Sequence, residues 1–217
     1  MKRWKLTDEN DRTHGGCQWS EGVEHTAPGG EPCTDGVIHW YADPLLAVLH
    51  DPIHGGYGET AHLWECEVAE TGTDGLKCWG TRCRTLRQVP LPAVSTEQRT
   101  RYAIFCAMEV LPPPNTAWAE AWQGWAEGWL AGKDRSSEAA RAAAIAARAA
   151  AIAVMASDAA RAARAAWAAA WAAKEAWASR AAAWAAARAA EEARAKGKSI
   201  DLRAIALRAV SEPKAGE

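Results

Sequence analysis

All six cysteines and all six histidines of this 217-residue chain fall within its first 106 residues. Any thiol, imidazole or metal chemistry therefore belongs to the N-terminal half. The spacings available are Cys78-x4-Cys83, His50-x3-His54 and the isolated Cys33 and His39. No Cys-x-x-Cys pair occurs, so the usual zinc-ligand spacing is missing. Free thiols and histidines without a metal are the plainer reading, and neither a metal nor a cofactor is expected. A Cys–His nucleophile pair would have to assemble in space, because no local pattern selects one. The phosphate-cradling runs Gly-x-x-x-x-Gly-Lys-Ser/Thr and Gly-x-Gly-x-x-Gly are both absent. The residues proposed to face a ligand are His39, Tyr41, His54 and Lys77, around a pocket beside the Gly55-Gly56 loop.

These residues need elements to hold them. Residues 1–36 read as short strands and turns broken at Gly15-Gly16 and Pro28-Gly29-Gly30, with Trp4, Leu6, Trp19 and Val23 as apolar anchors. Val37 to Tyr41 favours a strand, and Asp43-Pro44 supplies an N-cap with proline at the first helical position of a short helix over 45–49. Asp51 to Gly58 reads as a loop. His62 to Val68 sets Leu63, Glu65 and Glu67 against Trp64, Cys66 and Val68, the period-two pattern of a half-buried strand. A turn follows at 71–75, then two strands over 76–79 and 82–89. Ser95 with Gln98 three residues on fits a capping box, opening a helix that carries Ile104, Met108 and Leu111 and stops at Pro112-Pro113-Pro114. The expectation is an α+β domain over 1–111.

The second half, 112–217, reads as an all-α hairpin or bundle with helices at about 116–131, 135–156, 158–196 and 199–210. Trp118, Trp122, Trp125 and Trp129 fall within about 60° of one another on a helical wheel, a narrow packing seam. Ala131-Gly132 ends that helix, and Asp134 or Ser136 starts the next. From Ala139 to Ala195, 35 of 57 residues are alanine, and no Gly or Pro occurs between Lys133 and Lys196. As one rod this stretch would span about 85 Å, so it must fold back or project, and Ser157-Asp158 is the softest point. Ile145, Ile152 and Met155 mark its first part. Beyond Ser157 the pairs Trp167/Trp171 and Trp177/Trp184 spread over an arc of roughly 140°. Most charged residues lie outside the arc, Lys174, Arg188 and Glu192 inside it, so tryptophan is expected on the buried side. Gly197 reads as a stop and Ser199 as the cap of the last helix. The eight tryptophans from Trp118 to Trp184 are the expected packing or interface residues.

Charge is divided. Residues 1–110 hold 10 Lys+Arg against 16 Asp+Glu, a net −6, and residues 111–217 hold 15 against 11, a net +4. Neither half is basic enough to demand nucleic acid. The tail arginines also fail to align on one helix: Arg141, Arg148 and Arg188 share a face, while Arg161, Arg164, Arg180 and Arg194 point elsewhere, so binding to nucleic acid through Arg and Trp is the weaker reading. No signal peptide or membrane span is visible; the expected setting is cytoplasmic, with free thiols.

Trp4 to Thr7, Gly36 to Tyr41 followed by Pro44-Leu45-Leu46-Ala47, Asp51 to His54, Leu63-Trp64-Glu65 and Gly75-Leu76-Lys77 together resemble an uncharacterised domain family of phage and bacterial proteins. Trp129 to Ser136 looks like the Trp-Leu-x-Gly-x-Asp-Arg-Ser segment that joins that domain to a long alanine-rich helix. The resemblance spans nearly the whole chain but brings no activity or site residues. The alanine-rich half is similar, more weakly, to helical immunity proteins. A strand, a short helix and a Val/Glu-rich strand are also similar to the layout around the second motif of ADP-ribosyltransferase domains, where a Ser-Thr-Ser or His-Tyr-Glu set serves NAD. His39 and Tyr41 fall at that place here, without a Ser-Thr-Ser and without an assignable glutamate. Helices that rely on a few large tryptophan anchors make a natural docking surface; with the phage-type likeness, the expectation is a phage-encoded accessory protein acting by binding, as a homo-oligomer or with a protein partner through the Ala/Trp helices. The alternative is an enzyme or nucleotide-ligand binder with an N-terminal pocket.

Overall fold

A computed structural model describes residues 2–111, 117–153, 158–173 and 178–211. The chain is α+β, with an antiparallel sheet in its N-terminal half and helices in its C-terminal half. It divides into two compact units, Met1–Ala93 and Val94–Glu217.

The first unit is built on a long hairpin, β6 (His62–Thr73) and β7 (Cys78–Val89). β1 (Lys2–Thr7) pairs with the free edge of β6. The other edge of β7 takes both β4 (Glu24–Thr26), opposite 82–84, and β5 (Ile38–Trp40), opposite 78–80. β2 (Arg12–Thr13) and β3 (Cys17–Gln18) form a separate two-stranded ribbon. β7 is thus one strand where the residues suggested two. The turn is confined to 74–77, where the Asp74 carboxylate accepts the amides of Leu76 and Lys77, each at 2.9 Å. The alternation in β6 holds: Trp64, Cys66 and Val68 join Trp19, Trp40, Cys78 and Cys83 in one core cluster. Gly80 makes room for it, since a Cβ there would lie 2.8 Å from the Trp40 ring.

α1 (Pro44–His54) opens at Asp43, whose side chain accepts the Leu45 amide at 2.9 Å. The helix continues through Asp51 to His54, a stretch with loop character in the sequence. Its end is fastened: the amides of Gly55 and Gly56 reach the Asp51 carbonyl, and those of Tyr57 and Gly58 reach its carboxylate at 3.0 and 2.8 Å.

The second unit starts earlier than position 112. α2 (Thr96–Met108) is buried continuously from Thr100 to Ala107 and packs on helices of the alanine-rich region. A helix enclosed all round belongs at the centre of a bundle, so the boundary lies at 93/94 and not after 111. Its capping box is complete, with Gln98 amide to Ser95 Oγ at 3.2 Å and Ser95 amide to Gln98 Oε1 at 2.9 Å. Thr100 Oγ1 donates to the carbonyl of Ala172, and Gln98 Nε2 to that of Val210.

α3 (Ala117–Leu130), α4 (Ser137–Ala153), α5 (Asp158–Ala172), α6 (Ala178–Ala195) and α7 (Leu202–Ser211) complete the unit. The helix expected over 158–196 is therefore two, α5 and α6, packed side by side. Arg161 near the start of α5 meets Glu192 near the end of α6 at 2.7 Å, so the pair is antiparallel. α4 lies against α5 in turn: the alanine stretch folds back. Ser157, Met155, Lys174 and Trp177 lie outside the described residues, and no side chain is described for Ile152. Gly132 and Gly197, at φ 71° and 66°, end α3 and α6 as left-handed caps. In each the next amide reaches back to the carbonyl five residues earlier, Lys133 to Gly128 and Lys198 to Ala193, the Schellman pattern. α7 begins at Leu202, behind Asp201, whose carboxylate accepts the Ala204 amide in the place expected for Ser199.

The direction in which α5 and α6 face reverses the expectation. Apart from Glu192, their buried positions among the described side chains are alanines, including Ala162, Ala166, Ala169, Ala182, Ala186 and Ala189, all with no exposure, whereas Trp167 and Trp184 are 37% and 43% exposed. Small side chains let two helix backbones approach closely, because interaxial distance follows the size of the residues at the contact. Tryptophan on that face would hold the helices apart. α3 follows the ordinary rule: Trp122 and Trp129 are buried, Trp118 and Trp125 partly so, and Trp122 Nε1 donates to the Ala166 carbonyl at 2.8 Å.

Candidate functional site

His39, Tyr41, His54 and Lys77 all line one cavity of about 500 Å³ in the sheet unit. That volume lies in the range of small-molecule sites. Four elements bring them together. β5 carries His39 in register with Trp79. Tyr41 follows directly and is held by a bridge to Trp4 of β1, with both backbone hydrogen bonds made. His54 is the last residue of α1, and Lys77 closes the locked hairpin turn.

The imidazoles are neutral at pH 7 for stated reasons. Burial, with Lys77 and Lys5 nearby, lowers His39 to about 4. Burial, with His50 and Lys77, lowers His54 to about 3. His39 Nε2 receives the Cys33 backbone N–H at 3.3 Å, so its own proton sits on Nδ1. That contact also occupies the nitrogen a thiol at Cys33 would need as its base. Tyr41 hydrogen-bonds His54 Nδ1 at 3.1 Å and stacks on the ring at 5.8 Å. Its phenol is held protonated well above its usual range by burial and the Asp51 charge.

Three further residues belong to this neighbourhood, of which the sequence marks His50 only by its spacing from His54 and Trp19 only as an apolar anchor. His50, one turn before His54, is 1% exposed and donates Nδ1–H to the Leu76 carbonyl at 3.1 Å. Trp19 and Lys5 form the inner wall, with Lys5 Nζ 4.9 Å from the Trp19 ring centroid and 2.9 Å from the His39 carbonyl. Lys5 interrupts Trp4-Leu6 inside a strand; alternation sends it to the face opposite those two, where Trp64 is its cross-strand neighbour and the Trp19 ring lies against its ammonium.

Cys17 and Cys33 reach the same cavity; Cys66, Cys78, Cys83 and Cys106 are buried, and all six thiols are free. Among the described residues, no group of three or more His, Cys, Asp or Glu is placed to share a metal ion. No described helix is long and apolar enough to cross a membrane.

A second concavity lies in the helical unit. Trp167, Trp171 and Trp184 floor a groove of about 680 Å³ between α5 and α6, with Arg164, Arg180 and Arg188 around it and, among the described residues, no carboxylate in its lining. The three arginines diverge on a single helical wheel; pairing α5 with α6 brings them to one place. Arg188 lies 5.2 Å over Trp184 and pairs with Glu191 at 2.7 Å. Of the other expected interface residues, Trp118, Trp122, Trp125 and Trp129 belong to the packing of α3.

Comparison of the chain with protein-family models, curated proteins and solved structures finds no match.

Proposed function

We propose that this chain acts by binding a protein partner through the groove between α5 and α6, in keeping with the accessory role that the phage-type resemblance implies. The occupant is an acidic amphipathic helix. What carries the reading is the pair Trp167 and Trp184, 37% and 43% exposed, flanking Trp171 in a groove where, among the described residues, the lining charges are three arginines. Clustered exposed indoles mark interaction sites, and Trp with Arg supplies most of the energy at protein interfaces. Charge selects the occupant: a second copy laid face to face would set arginine on arginine, whereas an acidic strip pairs with Arg164 and Arg180, Arg188 being already held by Glu191. Trp167 and Trp171 meet edge to face, 6.4 Å apart at 73°, which is not a platform on which successive bases stack.

The test is fluorescence anisotropy with a labelled amphipathic peptide of Glu and Leu against the full chain. Binding that weakens with salt, and that drops at least tenfold in Trp167→Ala/Trp184→Ala, supports the proposal. Equal binding of a Lys/Leu peptide contradicts it. So does a dimer in light scattering that the double variant abolishes, or binding of a single-stranded oligonucleotide or of phosphatidylglycerol vesicles through the same two residues.

A further inference from the structure

The chain handles its buried charges consistently, with one exception. Glu192, fully buried in the helical unit, is bracketed by Arg161 and Lys196, each at 2.7 Å. Arg101, 2% exposed, meets Glu97 at 2.7 Å, and the Asp51 carboxylate is occupied by two backbone amides. Lys5 is different. It is 7% exposed, yet among the described residues no carboxylate forms an ion pair with it. An ammonium has three donors; one goes to the His39 carbonyl and the Trp19 ring shields one side. Its other titratable neighbours are the thiols of Cys83, Cys66 and Cys17, and the residue lines the cavity. Burying a charge without its counter-charge costs several kcal/mol, and burial here pulls the Lys5 proton affinity down. A ligand that brings a negative charge into the cavity removes that cost.

The remaining walls narrow the ligand further. Lys77 adds a second cation, and His39 and His54, neutral at pH 7, can donate or accept without adding charge. Trp19, Tyr41 and Tyr57 give the lining an aromatic character. The cavity, at about 500 Å³, far exceeds an inorganic oxyanion.

We propose that this cavity binds a small organic anion, a phosphate- or carboxylate-bearing molecule with an aromatic ring, whose acid group pairs with Lys5 while its ring lies against the aromatic wall. The proposal concerns the sheet unit alone, so it stands or falls independently of the docking groove.

Isothermal titration of the full chain with AMP, with 4-hydroxybenzoate and with their neutral counterparts adenosine and 4-hydroxybenzamide tests it. At least one of the two anions is expected to bind at millimolar concentration or below, at least tenfold tighter than its neutral counterpart. Lys5→Met is expected to abolish that preference. Because Lys5 is buried, the rim variant Lys77→Ala is measured beside it and should weaken the anion severalfold with its circular dichroism unchanged. Trp167→Ala/Trp184→Ala should leave the affinity as it is. The proposal is overturned if neither anion binds, if the neutral molecules bind as tightly, or if Lys77→Ala and a folded Lys5→Met both keep the wild-type affinity.

Discussion

Replacing Trp122 and Trp184 one at a time by alanine tests which side of the alanine helices is the core. Trp122 has no exposed surface and donates its indole N–H to the Ala166 carbonyl. Truncating such a buried aromatic costs about 3–5 kcal/mol, the cavity included, and the lost hydrogen bond places Trp122→Ala toward the upper end. Trp184 is 43% exposed, so little more than half of an indole leaves water on folding. With about 150–250 Å² for a whole side chain and about 25 cal/mol per Å², less the part an alanine retains, Trp184→Ala should cost roughly 1–2 kcal/mol. It opens no cavity, because the ring faces the groove. The assay is urea unfolding followed at 222 nm, where the helices dominate, with equal slopes required before midpoints are compared. In thermal unfolding the 2–3 kcal/mol difference between the variants should appear as roughly 5–10 °C. If Trp184→Ala destabilises the protein as much as Trp122→Ala, the indoles of α5 and α6 are core and the outward groove is not a binding face.

Further tests follow from the same geometry. Ala169→Leu puts three extra carbons into a fully buried alanine position; overpacking should cost about 1–3 kcal/mol, seen as a lower urea midpoint, whereas an unpacked face would gain stability from the same change. His50 is 1% exposed and lowered by burial to about 4. Its folded pKa lies below the unfolded 6.5, so the unfolded chain takes up the proton first. Stability from this group is complete above pH 6.5 and is lost as pH falls toward 4. The loss approaches about 3 kcal/mol at the low end, and His50→Gln should flatten the dependence of the urea midpoint between pH 7 and pH 5.

Much of the local structure can be read from single residues. Asp43-Pro44, Ser95 with Gln98, and the two glycines at 132 and 197 act through backbone chemistry that needs no tertiary partner, and each sits where that chemistry puts it. The failures share a different cause. Between Lys133 and Lys196 no residue forbids helix, so the reversal between α5 and α6 is imposed by packing, and propensity is silent about packing. Apolar size points to tryptophan as the buried partner, but in this bundle alanine is buried because it permits close approach, which leaves Trp167 and Trp184 outside. The prolines at 112–114 suggest a boundary, whereas burial on every side of α2 places that helix with the bundle. In the sheet unit His39, Tyr41, His54 and Lys77 could be singled out by type, and they do share one cavity wall. Lys5 could not, because a strand alternation shows two faces and says nothing of which is covered.

The most direct test of the docking proposal is a reversal of charge at its rim. In Arg164→Glu/Arg180→Glu, with Arg188 left on its Glu191 partner, the anisotropy titration should change its preference from the Glu/Leu peptide to the Lys/Leu peptide. Helical content should stay the same. If the double variant still binds the acidic peptide as tightly as the wild type does, the groove between α5 and α6 does not receive it, and the proposed function is wrong.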